Sequence, residues 1–249
     1  MSRTIEKLRE VPGDAPRTRV VPLRERTLRR HRIVAPFLGR YEADVFRTLR
    51  TLVFNRLAER GGRTLGICSA REGEGKSMVA LNLAISAAFD VNQTILLVEL
   101  DFRWPRLHHN LGIRVTKGLV DVLSGDATIQ ECLINPGYER LSVLPARASM
   151  ARSSEALGSP AMAELAKELR DRYPDRVIIY DLPPVLLSDD CLTFMRHLDA
   201  FLFVVSEGRS SKTDVDRALS LVDPDKLIGT VLNGSRHGSD KPKYYDANH

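Results

Sequence analysis

Along this chain, uninterrupted apolar stretches alternate with segments whose apolar positions recur every three or four residues, the signatures of buried strands and amphipathic helices. From Tyr41 to Arg60, Val45, Leu49, Leu52, Val53 and Leu57 fall at helical spacing with Arg47, Arg50 and Arg56 between them. This predicts one helix, closed by Gly61-Gly62. Thr64 to Cys68 predicts a short buried strand, and Lys76 to Phe89 a helix carrying Val79, Leu81, Leu83, Ala84 and Ile85. Further strands are expected at 94–100, 141–145, 177–180, 200–206 and 226–232, and further helices at 118–123, 160–171 and 212–222. Strands that are apolar on both faces and alternate with helices belong to a sheet covered on both sides. The expected class is therefore α/β, doubly wound, with a mainly parallel sheet. Such folds bind ligands beyond the carboxyl ends of their strands.

The polar residues that interrupt the pattern gather at those ends. Between the first strand and its helix lies Ala70-Arg71-Glu72-Gly73-Glu74-Gly75-Lys76-Ser77. This is a phosphate-binding loop with alanine at the first glycine position. Gly73 and Gly75 free backbone N–H groups to turn inward on a phosphate, Lys76 can bridge the β- and γ-phosphates, and Ser77 offers a hydroxyl to Mg²⁺. Arg71, Gly73, Glu74, Gly75, Lys76, Ser77 and Met78 form the candidate nucleotide-binding set. The second strand ends Glu99-Leu100-Asp101-Phe102-Arg103. Alternation puts Glu99 and Asp101 on one side, where one carboxylate can hold metal-bound water and the other accept a proton from an attacking hydroxyl. Asp181, closing Val177-Ile178-Ile179-Tyr180-Asp181, stands in the usual place for a carboxylate near magnesium.

Composition narrows the class and not the function. With 249 residues, 43% hydrophobic and 28% charged, the chain suits one sizeable globular domain. No apolar run approaches the roughly 20 residues of a membrane span, and the N-terminus lacks a signal-like stretch, so a cytoplasmic protein is expected. Cys68, Cys132 and Cys191 are far apart in apolar segments and read as reduced packing residues. The net charge of +5 is uneven: residues 1–40 hold eleven Lys or Arg against four Asp or Glu, and the remainder is slightly acidic. That basic, proline-punctuated arm either touches an anionic membrane surface or nucleic acid through non-specific attraction, or is a solvated, poorly ordered leader. No sequence-specific nucleic-acid partner is expected.

Taken together, Gly75-Lys76-Ser77, the Glu99/Asp101/Arg103 strand end with Pro105 behind it, and Asp181-Leu182-Pro183-Pro184-Val185-Leu186 with Asp190 resemble the bacterial tyrosine kinases of capsule and exopolysaccharide synthesis. Gly118 to Gly125, Ser154 to Ser159 and Val231-Leu232-Asn233-Gly234 extend the resemblance from about Tyr41 to Asn233. It implies a P-loop NTPase fold of the deviant-Walker, MinD-like type and an ATP- and Mg²⁺-dependent autokinase. Lys76 and Ser77 would be the first Walker motif, Glu99 and Asp101 the family's second acidic motif with Arg103 beside it, and Asp181 the Walker B aspartate. Ser77, Asp101 and Asp181 would serve the metal, and Asn233 would lie near the adenine.

The resemblance also implies a ring of subunits held by an arginine motif on the first helix, here Asp44, Arg47 and Arg50. The acceptors would be tail tyrosines, here Tyr244 and Tyr245, and the partner a membrane-embedded polysaccharide chain-length regulator whose cytoplasmic segment activates the kinase at the inner face of the plasma membrane. Glu99 replaces the family's aspartate, Asp44 its glutamate, and only two tail tyrosines occur. The expected division is a basic arm at 1–40, a kinase domain at 41–237 and a tyrosine-bearing tail at 238–249. Two alternatives stay open: an ATP-switched assembly protein like the division-site and plasmid-partition ATPases, and an ATP-binding scaffold without kinase activity. Arg71 stands where those ATPases carry a signature lysine that reaches a dimer partner's nucleotide, and its fork geometry differs.

Overall fold

A computed structural model describes residues 18–173 and 175–235 of the chain. Its elements run β1 (Arg19–Val20), α1 (Glu25–Arg30), α2 (Tyr41–Glu59), β2 (Thr64–Ser69), α3 (Lys76–Ala87), β3 (Thr94–Glu99), α4 (Leu107–Leu111), α5 (Leu119–Leu123), α6 (Ile129–Cys132), β4 (Ile134–Asn135), β5 (Leu141–Leu144), α7 (Ser153–Leu157), α8 (Pro160–Asp171), β6 (Arg176–Asp181), α9 (Asp190–Met195), β7 (Ala200–Ser206), α10 (Lys212–Leu221) and β8 (Leu227–Asn233). The sheet order is β1-β4-β5-β3-β6-β2-β7-β8. All neighbouring strands are parallel except the β4–β5 pair.

Strand periodicity builds a core on each face of this sheet. Ile95 and Leu97 of β3, Val177 and Ile179 of β6, and Leu202 and Val204 of β7 face one core, with α2, α3 and α4 over it. Their neighbours Leu96, Val98, Ile178, Tyr180, Phe201 and Phe203 face the other, under α8 and α9. The doubly wound architecture expected from the sequence is the one observed. Cys68, Cys132 and Cys191 are free and buried within these cores, as expected of packing residues. No helix among the described residues is long and apolar enough to cross a membrane.

Two strands fix the site. β2 lies between β6 and β7, so its outgoing loop leaves the sheet where successive connections turn to opposite sides. This is the crevice in which doubly wound sheets bind ligands. Ile67 of β2 and Glu99 of β3 are both in register with Asp181 of β6. The loop and the two acidic strand ends thus meet at one edge because the register aligns them.

Of the basic arm, whose order the sequence leaves open, residues 18–40 pack onto the domain; residues 1–17 lie outside those described. Val20 pairs with Asn135 at the sheet edge, and Leu28, Ile33 and Ala35 are buried against the first core. The anchor is Asn82, fully buried in the apolar middle of α3. Its Oδ1 accepts the N–H groups of Val34 at 2.7 Å and Ala35 at 2.9 Å, and its Nδ2 donates to the carbonyls of Arg32 at 3.0 Å and Met78 at 2.9 Å. The amide is fully used, and it clamps residues 32–35 as a strap across the helix that begins at Lys76. An Asn82→Ala substitution orphans two main-chain donors, each costing about 1–3 kcal/mol when buried. Urea unfolding should show a loss of about 2–4 kcal/mol, and a loss below about 0.5 kcal/mol would mean that the strap is not anchored there.

Candidate active site

The loop after β2 is held open by glycines. Gly73 and Gly75 adopt φ of 77° and 97°, a region favouring residues without a Cβ. At Gly75 a Cβ would stand 2.1 Å from the Asn233 amide nitrogen. Gly75 also caps α3, whose N–H groups point at the space the loop encloses.

Loop braces come from several elements. Arg71 N–H donates to Glu74 Oε2 at 2.8 Å, and Glu74 Oε1 accepts the Ser210 hydroxyl. Asn233 Nδ2, at the end of β8, donates to the Glu74 carbonyl at 2.9 Å, and Arg209 Nη1 to the Gly73 carbonyl at 3.2 Å. Two of the expected binding residues take part in this bracing. Glu74, nearly fully buried, is a brace whose carboxylate is occupied within the loop. Asn233, expected beside the adenine, has its amide on the loop's back, where it sets the position of Gly75.

At the centre, Lys76 Nζ lies 2.7 Å from Asp101 Oδ2, 3.4 Å from Ser77 Oγ and 3.9 Å from Asp181 Oδ1. Burial works against the ammonium, yet Asp181 and Asp101 outweigh it and hold its pKa above the ordinary lysine value. Asp181 is completely buried, and burial pushes its pKa up to about 6 against the pull of Lys76. Both of its carboxylate oxygens lack a hydrogen-bond partner. Buried acceptors left unpartnered are rare, and these two, with the Ser77 hydroxyl and Asp101, fit a hydrated Mg²⁺. Among the described residues no cluster of three or more His, Cys, Asp or Glu could hold a metal unaided. Magnesium does not need one when phosphate and water complete its shell. The α3 terminus, glycine loop and lysine likewise fit a polyphosphate.

The structure separates other expected residues from this centre. Glu99 Oε1 accepts the N–H groups of Arg106 and Leu107 at 2.5 and 2.7 Å, and Oε2 that of Ala146 at 2.9 Å. Burial pushes its pKa up to about 7 while the three donors favour its charge. This carboxylate, expected to share in proton transfer, holds the start of α4 and the exit of β5. Arg103 points to Asp190, with Nε 3.3 Å from Oδ2. Arg71 forms a two-pronged pair with Asp214 of α10, both contacts at 2.8 Å. Arg71, expected in the nucleotide-binding set, is thereby tethered to α10 of the same chain. On α2, Arg47 pairs with Asp44, and Arg50 Nη1 donates to the Ser86 carbonyl of α3 at 3.0 Å. Tyr244 and Tyr245 lie outside the described residues.

A cavity of about 550 Å³ opens beside this centre, lined by Glu72, Gly73, Gly75, Lys76, Ser77, Met78 and Asp101. His31, Trp104, Arg106, Asn110 and Arg209 complete it, and sequence reasoning missed all five. Trp104, 43% exposed three residues after Asp101, carried a signal, since a lone indole beside an acidic strand end is unusual for solvent. His31 carried none, because only the strap brings it there.

No protein-family model matches the chain. The tyrosine-protein kinase YwqD of Bacillus subtilis is 30% identical over 196 residues, covering 78% of this chain and 81% of that protein. The succinoglycan biosynthesis transport protein ExoP of Rhizobium meliloti is 34% identical over 197 residues, which span 77% of this chain but 25% of ExoP. Among solved structures, the chimerical protein CapA2B2 superposes with a TM-score of 0.73 at 26% identity, over 87% of this chain and 93% of that one.

Proposed function

Because the chain belongs to the bacterial tyrosine-kinase family, we propose that it is an ATP-dependent protein-tyrosine autokinase serving exopolysaccharide or capsule synthesis or export. The observation that carries this reading is the buried Lys76–Asp101 contact of 2.7 Å at the mouth of α3, with Asp181 beneath it.

Gly73, Gly75 and the first N–H groups of α3 would cradle the phosphates, and Ser77, Asp101 and Asp181 would hold the metal. Bound Mg-ATP supplies the phosphoryl group and the metal charge that offsets it. Lys76 would exchange its carboxylate partner for phosphate oxygen, which frees Asp101 to take a proton from a tyrosine hydroxyl. Glu99, committed to three main-chain donors, leaves Asp101 to do this alone. The assembly-ATPase alternative needs residue 71 to reach a partner's nucleotide, and the Arg71–Asp214 pair opposes that.

Tyr244 and Tyr245, in the polar stretch 238–249, are the proposed acceptors. The proposed activator is the cytoplasmic segment of a membrane-embedded chain-length regulator, which would bring the protein to the inner face of the plasma membrane. ExoP, a transport protein of which the matched region is one quarter, supports that association. A homo-oligomeric ring would form through the α2 face around Asp44, Arg47 and Arg50, where Val45 and Leu52 are 45% and 55% exposed.

The test incubates the purified protein with Mg-ATP, with and without the regulator segment, and reads tail phosphotyrosine by mass spectrometry beside released phosphate. Phosphate on residues 244 and 245 is expected, and the Tyr244→Phe/Tyr245→Phe pair should abolish it while ATP consumption continues. Phosphate release with an unmodified wild-type tail would sink the kinase reading.

A further inference from the structure

The far edge of the sheet carries a second cavity, also about 550 Å³. It lies where Arg60, Asp199 and Lys226 precede β2, β7 and β8, three adjacent strands, and so at the opposite strand ends from the loop at 70–77. Arg60, Lys167, Arg170, Arg196 and Lys226 all line it, with Asp199 the one carboxylate. Asp199 is already engaged: Arg170 Nη1 lies 3.0 Å from its Oδ1, and its Oδ2 accepts the N–H groups of Arg63 and Thr64 at 2.7 and 3.0 Å.

The other four cations have no carboxylate partner among the described residues. Arg60 donates to the Asp225 carbonyl. Lys226 Nζ donates to the Met195 carbonyl at 3.2 Å, and Arg196 Nη2 to that of Gly158 at 3.3 Å. Such bonds orient these side chains without neutralising them. His197, also in the wall, reports the surplus: after burial, the charges of Arg196 and Lys226 lower its pKa below the ordinary histidine value. Four like charges held around one concavity without counter-charge make a site for a multivalent anion. The open concavity suits a small ligand better than a flat partner surface.

We propose that this cavity is a second anion-binding site that takes a diphosphate group, carried by a soluble ester or by a lipid headgroup. Pyrophosphate is the probe, titrated calorimetrically into full-length Lys76→Met protein so that the loop at 70–77 contributes little. One-to-one binding is expected, weakened about tenfold or more by Lys167→Glu/Arg196→Glu, since each substitution replaces a charge-assisted bond to the anion with repulsion. Lys167→Gln/Arg196→Gln, which removes charge without reversing it, should give the same direction if the first variant folds poorly. Introduced into the chain that keeps Lys76, neither pair should change ATP consumption. Sedimentation with phosphatidylcholine vesicles carrying a polyprenyl diphosphate separates the sources: vesicle binding lost in the same variants assigns a lipid headgroup, and pyrophosphate binding without vesicle binding assigns a soluble ester. No pyrophosphate binding, or binding equal in the charge variants, would overturn the proposal.

Discussion

Lys76→Met protein is expected to lose ATP-dependent tyrosine phosphorylation by a factor of about 10²–10³ or more, the usual cost of removing a preorganised charge from a transition state. The reason lies in the depth of the group. Lys76 is held beside Asp101 and Asp181, so its charge is already in position when charge develops on the transferring phosphoryl group, and a water drawn from the cavity does not replace it. Methionine keeps the length of the side chain and removes only the ammonium. It also leaves two buried carboxylates without their cation, a loss that can cost several kcal/mol, so circular dichroism must accompany the assay. Lys76→Arg separates the two effects: it keeps the charge and the fold, but its planar fork cannot occupy the same point, and its rate should stay well below wild type. Full activity in the methionine variant would show that the phosphates bind elsewhere.

Glu99→Ala is expected to cost about 3–5 kcal/mol of stability, because it strands three main-chain N–H groups at once and each buried orphan costs about 1–3 kcal/mol. Glu99→Gln retains acceptor capacity at one oxygen and should fall between alanine and wild type. Urea unfolding beside kcat distinguishes this from a catalytic role. A glutamate that took part in proton transfer would lower kcat with stability intact, whereas a bracing glutamate lowers stability in both variants and spares the rate of the molecules that remain folded. A stable, slow Glu99→Gln enzyme would reinstate the catalytic assignment and displace the bracing one.

Glu99 also shows where the sequence stops being legible. Alternation placed it with Asp101, and the two are two residues apart at the end of one strand, but periodicity says nothing about what waits beyond the strand. Its partners at 106, 107 and 146 come from the start of α4 and from the exit of another strand. The same holds for Arg71, whose partner Asp214 is 143 positions away. The glycine loop, by contrast, was readable because its geometry is local: Gly73, Gly75 and the helix start carry their own conformational demands. The sheet was readable because strands buried on two faces have no alternative packing. Residues 18–40 were not, since their elements are too short to declare themselves by period. One signal for them was present in α3, where Asn82 interrupts an apolar run, and a polar side chain there needs a partner from outside the helix.

That asparagine makes the strap and the helix a single cooperative unit. Lifting residues 32–35 would strip two main-chain donors and leave the Asn82 amide with only the Met78 carbonyl for a main-chain partner in an apolar wall, so the penalty falls on both surfaces together. Local opening is the route by which proteases enter a folded chain. Cleavage among Arg29, Arg30 and Arg32 therefore waits on the loosening of α3. Any ligand that steadies the start of that helix also shields the strap, by thermodynamic linkage.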